Sequence, residues 1–164
     1  MKLTTKGRYA VMAMADMATC CDDAPICLGD IAERQGISLA YLEQLFAKLR
    51  REGLVSSIRG PGGGYRLGRP AEEIRVGDII AAVQEPIATT RCTPESAKSC
   101  TGSSARCITH DLWDELGRQI FVFLNSISLE DVVERRVLGL ARAPDRDAFE
   151  ARNASNDGAR AAEA

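Results

Sequence analysis

Cys92, Cys100, Cys107 and His110 stand in the pattern Cys-x7-Cys-x6-Cys-x2-His and unite three of the six cysteines with the single histidine of the chain. Thiolate and imidazole are soft or borderline donors, so this grouping suits a metal centre. Most of it falls within Ala88 to Cys107, ATTRCTPESAKSCTGSSARC, which has almost no apolar side chains. Such a segment cannot order itself by burying hydrophobic surface; ligand bonds would supply the missing ordering energy. On donor chemistry alone, structural zinc accepts a Cys3His set. Arg91, Lys98 and Arg106 are interleaved with the ligands and could offset thiolate charge. Cys107 and His110 could also form a thiol-imidazole pair, but no third orienting residue or oxyanion-hole motif accompanies them. An enzyme is therefore not expected.

The elements that must position these groups belong to a chain of 164 residues, enough for one domain or a small domain with an assembly segment. Its 45% hydrophobic and 27% charged composition is that of a soluble globular protein. The N-terminal MKLTTKGR has no apolar signal region, and no apolar run approaches the roughly 20 residues that span a bilayer. A cytoplasmic protein with no membrane partner is expected, and six cysteines there are not a disulfide framework. The net charge of -2 hides a local excess: from Lys48 to Arg69 stand six basic residues and one acid, Glu52. Such focusing can serve as an electrostatic footprint for phosphate, or simply solvate a helix end and hairpin.

Thr4 or Thr5 can cap a first helix running to about Ala18, with Tyr9, Val11, Met12 and Met14 among its apolar positions. Leu28, Ile31 and Ala32 suggest a second helix that stops at Gly36, and Ser38 can cap a third that ends at Gly53. Two helices joined across Gln35-Gly36-Ile37-Ser38 make a helix-turn-helix candidate. In the third helix Leu42, Leu45, Phe46 and Leu49 define one buried face. Opposite lie Ala40, Gln44, Ala47 and Arg51, flanked by Glu43 and Lys48. This outer face fits a DNA groove: small residues allow close approach, Gln44 can pair with adenine, Glu43 can accept from cytosine, and cations can meet phosphate. Taken alone, it would equally be a polar surface helix.

The neighbouring residues decide between a groove-binding helix and a merely polar one. Leu54 to Arg59 alternates like a strand, Gly60-Pro61-Gly62-Gly63-Gly64 is turn chemistry, and Tyr65-Arg66-Leu67 can return antiparallel. A helix-turn-helix with a glycine-tipped basic hairpin is a winged helix, with Arg59 and Arg66 near a tip that could enter a minor groove. A phosphate-cradling nucleotide loop would need a Gly-Lys-Ser/Thr that is absent. The candidate DNA-contacting set is Ser38, Ala40, Tyr41, Glu43, Gln44, Lys48 and Arg51 on the helix, with Arg59, Gly60 and Arg66 on the wing.

Val76 to Val83 reads as a fourth helix closed by Glu85-Pro86. From a possible Thr109 cap a longer helix runs to about Asn125. Leu112, Leu116, Ile120, Phe123 and Ile127 line one side, which Trp113, Phe121 and Leu124 widen. A strongly apolar helix beyond a complete small domain most often packs on a copy of itself, giving a homodimer and a double-stranded operator with an approximate inverted repeat. Leu112, Leu116, Ile120, Phe123 and Leu124 are the candidate dimer contacts. Ser128 can cap a last helix to about Leu138, and the end rich in Ala, Arg, Asp and Asn reads as a tail. The expected organisation is a winged-helix domain over 1-85, a ligand-bearing loop over 86-110, dimerisation helices over 111-140 and a disordered tail over 141-164. The fold class is mainly α with a small β-hairpin. Cys20, Cys21 and Cys27 are expected to be buried as small hydrophobes.

Four stretches, LTTKGRYAVMAM, ERQGISLAYLEQLFAKLRREGLVSSIRGPGGGYRLG, VGDIIAAV and the RC...C...CITHDLW segment, together resemble one family over approximately residues 1 to 138. It is the family of small winged-helix transcription regulators typified by the iron-sulfur cluster assembly regulator IscR. The resemblance implies a homodimeric repressor or activator with a [2Fe-2S] cluster on Cys92, Cys100, Cys107 and His110, supplied by the cluster-assembly machinery. It also implies that the cluster-bound form represses cluster-assembly genes. A nitric oxide or general iron sensor on the same scaffold is the near alternative, and His110 distinguishes them because the nitric-oxide branch has a three-Cys pattern without it. Two departures stand out: this loop has three additional residues between its cysteines, and Ala40 replaces a hydroxyl residue.

Overall fold

The computed structural model describes residues 5-20, 24-85 and 108-137. Helix α1 (Thr5–Thr19) is followed by α2 (Leu28–Gln35) and α3 (Leu39–Arg51). Strands β1 (Val55–Ile58) and β2 (Gly64–Leu67), a 3-10 turn (Ala71–Glu73), and helices α4 (Val76–Ala82), α5 (His110–Ser126) and α6 (Leu129–Val133) complete the order. The mainly helical winged helix-turn-helix expected from the sequence is present. Among the described residues, no helix is long and apolar enough to cross a membrane.

The core forms where α1, α2 and α3 converge. On α3 the expected stripe Leu42, Leu45, Phe46 and Leu49 is buried. On α1 the buried set is Ala10, Ala13, Met14 and Met17 rather than the larger Tyr9, Val11 and Met12, which are half-buried. Both sets follow helical spacing, but small alanines let α1 lie close to its neighbours while Val11 reaches a second cluster around Val76, Ile80 and Ile127. The α2-α3 turn closes on Gly36, whose φ of 63° is the left-handed conformation a β-carbon disfavours. Ser38 precedes α3, yet its hydroxyl forms no cap; its carbonyl instead accepts from Leu42 N at 3.0 Å. Thr109 likewise makes no side-chain cap before α5.

Across this junction Asp16 of α1 is buried and accepts two bonds from Arg34 Nε (3.1 and 3.2 Å), one from Arg34 Nη2 (2.6 Å) and one from Gln35 Nε2 (2.6 Å). Burial alone would raise its pKa, but hydrogen bonds from Arg34 and Gln35 hold the carboxyl below its ordinary 3.8. A depressed folded pKa means stabilisation that is full above the unfolded value and is lost as pH falls through the folded one. Asp16→Asn should therefore cost about 1.5–3 kcal/mol at neutral pH, the range for hydrogen bonds to charged groups. Urea unfolding of both proteins from pH 7 down to pH 2 should show that gap narrowing in acid; a constant gap would contradict this role.

The wing is more firmly built than a bare hairpin. Its pairs run from Val55–Leu67 to Ile58–Gly64, and on the other side of β2 Ile26 and Tyr65 exchange two backbone hydrogen bonds of 2.9 Å. Tyr65 also meets Phe46 of α3 edge-on, with ring centroids 5.1 Å apart. This bridge explains Gly64, where a β-carbon would stand 2.4 Å from Ile26 O, while the tight turn of the hairpin itself explains Gly63, where one would stand 2.4 Å from Ile58 O. Gly64→Ala should destabilise the fold by about 1–3 kcal/mol, as overpacking does. A melting temperature equal to that of the wild type would refute that close approach.

Helices α5 and α6 return to this body. Ile127 O accepts from Val76 N at 3.0 Å and Leu129 N donates to Ile74 O at 2.8 Å, so the segment after α5 is laced to the segment before α4. Ile127 is thus buried within its own chain, outside the helix face to which its spacing assigns it. Ser128 forms a reciprocal capping box with Asp131. Helix α6 is shorter than the expected run to Leu138. Arg135 takes a left-handed φ of 57°, and Arg136 N closes the end on Asp131 O at 2.9 Å. Leu138 itself, Cys21, residues 86–107 and the 141-164 segment lie outside the described residues.

Candidate functional site

Helix α3 presents Ala40, Glu43, Gln44 and Arg51 as exposed positions on the side away from its buried stripe, and Ser38, just before the helix, is exposed as well. Glu43, Gln44 and Arg51 form no hydrogen bond or ion pair among the described residues, so their polar ends are available to a partner. Tyr41 is half-buried and packs edge-on against Tyr9, with centroids 6.1 Å apart. On the wing Arg59 and Gly60 are exposed at the tip, whereas Arg66 is exposed opposite Ser56, back from the tip position expected for it. Arg50 reaches the outer side of β1, its Nη1 3.4 Å from Ser57 Oγ.

The folded chain adds a cation from a distant part of the sequence. The Lys48 ammonium is held below the usual lysine range, first by the close approach of Lys6 from α1, then by desolvation, and by the charges of Lys6 and Arg51. Three cations therefore crowd one end of the recognition face, where like-charge repulsion favours the arrival of an anion such as backbone phosphate. Lys48 Nζ also donates to Gln84 Oε1 at 3.0 Å. Neither Lys6 nor Gln84 carries a sequence signal for this site, since their meeting with Lys48 depends on tertiary packing.

Of the metal-ligand set, Cys92, Cys100 and Cys107 lie outside the described residues. His110 is half-buried as the first residue of α5, and its Nδ1 is buried with no hydrogen-bond partner among the described residues. Cys20 and Cys27 are exposed thiols, not the buried apolar groups expected. Cys27 is displaced outward because its backbone caps α2, its carbonyl accepting from Asp30 N at 3.2 Å. Among the described residues no three His, Cys, Asp or Glu side chains form a metal-binding group.

Helix α5 leaves Leu112, Trp113, Leu116, Phe121, Val122 and Phe123 exposed, while Ile120 and Leu124 are half-buried. Leu124 joins the Val76–Ile80–Ile127 cluster. The charged side of the helix is internally paired, Arg118 bridging Asp114 and Glu115.

A recognition helix, a basic wing and a long apolar helix are the parts of one known type of regulator. The model of Rrf2, described as an iron-dependent transcriptional regulator, matches residues 3–135. The chain belongs to the Rrf2 family. It is 53% identical over 148 residues to the HTH-type transcriptional regulator IscR of Pectobacterium atrosepticum, covering 90% of this chain and 88% of the relative. To the protein of that name from Photorhabdus laumondii it is 53% identical over 154 residues, 93% of this chain and 92% of the relative. Among solved structures, T. potens IscR superposes with a TM-score of 0.65 at 38% identity, over 87% of this chain and 94% of that one. CymR, the global cysteine regulator of B. subtilis, gives 0.68 at 34% identity over 82% and 98%. As an Rrf2 protein the chain is a DNA-binding transcription regulator and not an enzyme, and the exposed face of α3 with the wing is its candidate DNA surface.

Proposed function

We propose that this Rrf2 regulator is a homodimeric iron-sulfur sensor of the cytoplasm. It would hold a [2Fe-2S] cluster on Cys92, Cys100, Cys107 and His110, supplied by the cluster-assembly machinery, and repress cluster-biogenesis genes when loaded. The observation that carries this reading is His110. Burying a ring nitrogen without a partner is costly, and a ligand bond is a sufficient reason for it. The donor fits, because a neutral imidazole nitrogen binds metal and the first turn of a helix favours the negative charge that three thiolates bring. When bound, the cluster supplies ligand bonds that order the cysteine-bearing segment and a redox centre whose potential is raised where imidazole replaces thiolate. Arg91, Lys98 and Arg106 would offset remaining thiolate charge. The IscR relatives favour the cluster over structural zinc for the same four donors.

Anaerobic purification followed by visible absorption and metal analysis tests the reading. Brown protein with equal iron and acid-labile sulfide is expected. Colourless protein with stoichiometric zinc would defeat it.

For DNA, Gln44 is assigned to base edges and Lys48, with Lys6 and Arg51, to phosphate. Gln44→Ala should relax preference at particular base pairs by roughly 1–3 kcal/mol, whereas Lys48→Ala should weaken all duplexes and flatten the salt slope by about one ion. Binding to specific and scrambled duplexes across salt concentrations separates the two. Identical, salt-independent losses would sink both assignments.

A further inference from the structure

The chain leaves α4 by an unusual route. Gln84 has a φ of 59°, a conformation rare for a residue with a β-carbon, and its backbone N donates to Ala81 O at 2.8 Å. That turn sends two consecutive side chains to two different elements. Gln84 Oε1 accepts from Lys48 Nζ of the recognition helix at 3.0 Å. Glu85 turns inward, is 6% exposed, and its Oε2 accepts from Gly7 N at 3.0 Å. Gly7 lies in the first turn of α1, where backbone N–H groups have no partner inside the helix. Val83, fully buried just before them, pins the turn to the core.

One junction therefore holds both sources of the Lys6–Lys48–Arg51 cation cluster, α1 through Glu85 and α3 through Gln84. The junction is also the last described point before the segment that carries Cys92, seven residues further on. A pull or twist arriving along the backbone from that segment meets Glu85 and Gln84 before any other part of the DNA-binding body.

We propose that Gln84 and Glu85 are positioning residues for DNA binding. They set the pose of Lys48 and of the α1 N-terminus, and they carry the state of the cysteine-bearing segment to the recognition helix. This inference rests on the cluster-sensing reading above.

The experiment uses full-length protein, cluster-loaded and cluster-free, and a duplex enriched from a random-sequence library by the loaded wild type. Gln84→Asn tolerates a left-handed backbone but is one methylene too short for Lys48. Glu85→Ala removes the acceptor for Gly7 N, and Glu85→Gln restores an oxygen there. Wild-type affinity should differ between the two forms by about 5- to 150-fold, the usual range of allosteric coupling. In Gln84→Asn and in Glu85→Ala the ratio should fall to within about twofold of unity, with the visible spectrum of the loaded protein unchanged. Glu85→Gln should recover it, which a merely destabilised fold would not. A wild-type ratio that survives in Gln84→Asn and Glu85→Ala overturns the junction alone. Equal affinities of the two wild-type forms would overturn the cluster-sensing reading, and the junction with it.

Discussion

Changing His110 to alanine is expected to yield a colourless, iron-poor protein that still folds and still binds DNA, but with altered operator choice. The expectation is sharp because His110 Nδ1 makes no hydrogen bond among the described residues and the side chain is only half-buried at the start of α5. Its removal deletes no hydrogen bond from that buried nitrogen, so a loss of iron reports on ligation rather than on collapse of the fold. Cys92→Ala and Cys107→Ala should give the same phenotype, since a cluster needs protein ligands on both irons. Cys20→Ala and Cys27→Ala, at exposed thiols, should leave iron content untouched. Operator affinity in the His110 variant should match that of cluster-free wild type, a change of about 1–3 kcal/mol from the loaded form. Iron and sulfide assays on anaerobically prepared proteins, with binding to a panel of duplexes, check this. Retention of a full cluster by His110→Ala would remove the histidine from the ligand set.

Local chemistry makes much of this fold legible. Gly36 closes α2 because only one conformation ends that helix cleanly, and the stripe Leu42, Leu45, Phe46 and Leu49 has a single face to bury. The alternation before Gly60 and the run of glycines after it dictate a hairpin, and the hairpin is there. Elsewhere the deciding partner lies far along the chain. Asp16 reads as a surface acid until Arg34 and Gln35 arrive from α2. Lys6 reads as an N-terminal charge until α1 is laid beside α3. Glu85 reads as a loop residue before proline, yet it is buried against the start of α1, 78 residues away. The last helix reads too long because nothing in Glu134-Arg135-Arg136 forbids a helix. Its stop comes from a left-handed arginine whose neighbour, Arg136, is held by Glu130 and Asp131. The recognition surface is thus legible on α3, where periodicity is self-contained, and only partly so where three elements build one charge cluster.

The proposed dimer predicts the other large effect. Placing a carboxylate in the α5 seam, as Leu116→Glu, is expected to convert a sedimenting dimer into a monomer at micromolar concentration. At 100° per residue Leu112, Leu116, Ile120, Phe123 and Leu124 fall within one arc of the helix, and the Asp114–Arg118–Glu115 network occupies the opposite side. Leu112, Leu116 and Phe123 are 62%, 40% and 38% exposed, so these three form an apolar stripe that the chain itself leaves uncovered, while Leu124 at the edge of the arc packs partly on the Val76–Ile80–Ile127 cluster. Because Leu116 is exposed in the single chain, glutamate there costs the protomer little, whereas the half-buried Ile120 would confound loss of pairing with loss of folding. Two-fold symmetry repeats the substitution in each subunit, so two unpaired carboxylates would be desolvated in one interface. Uncompensated buried charge costs about 3–5 kcal/mol, or roughly a 150- to 5000-fold rise in Kd. Since an inverted-repeat operator engages two recognition helices at once, DNA affinity should drop with it, and cluster content should not. Sedimentation of wild type and Leu116→Glu, with and without a duplex carrying two half-sites, measures both consequences. A monomeric wild type, or a mutant that associates unchanged, would mean that this stripe meets something other than a second copy of the chain.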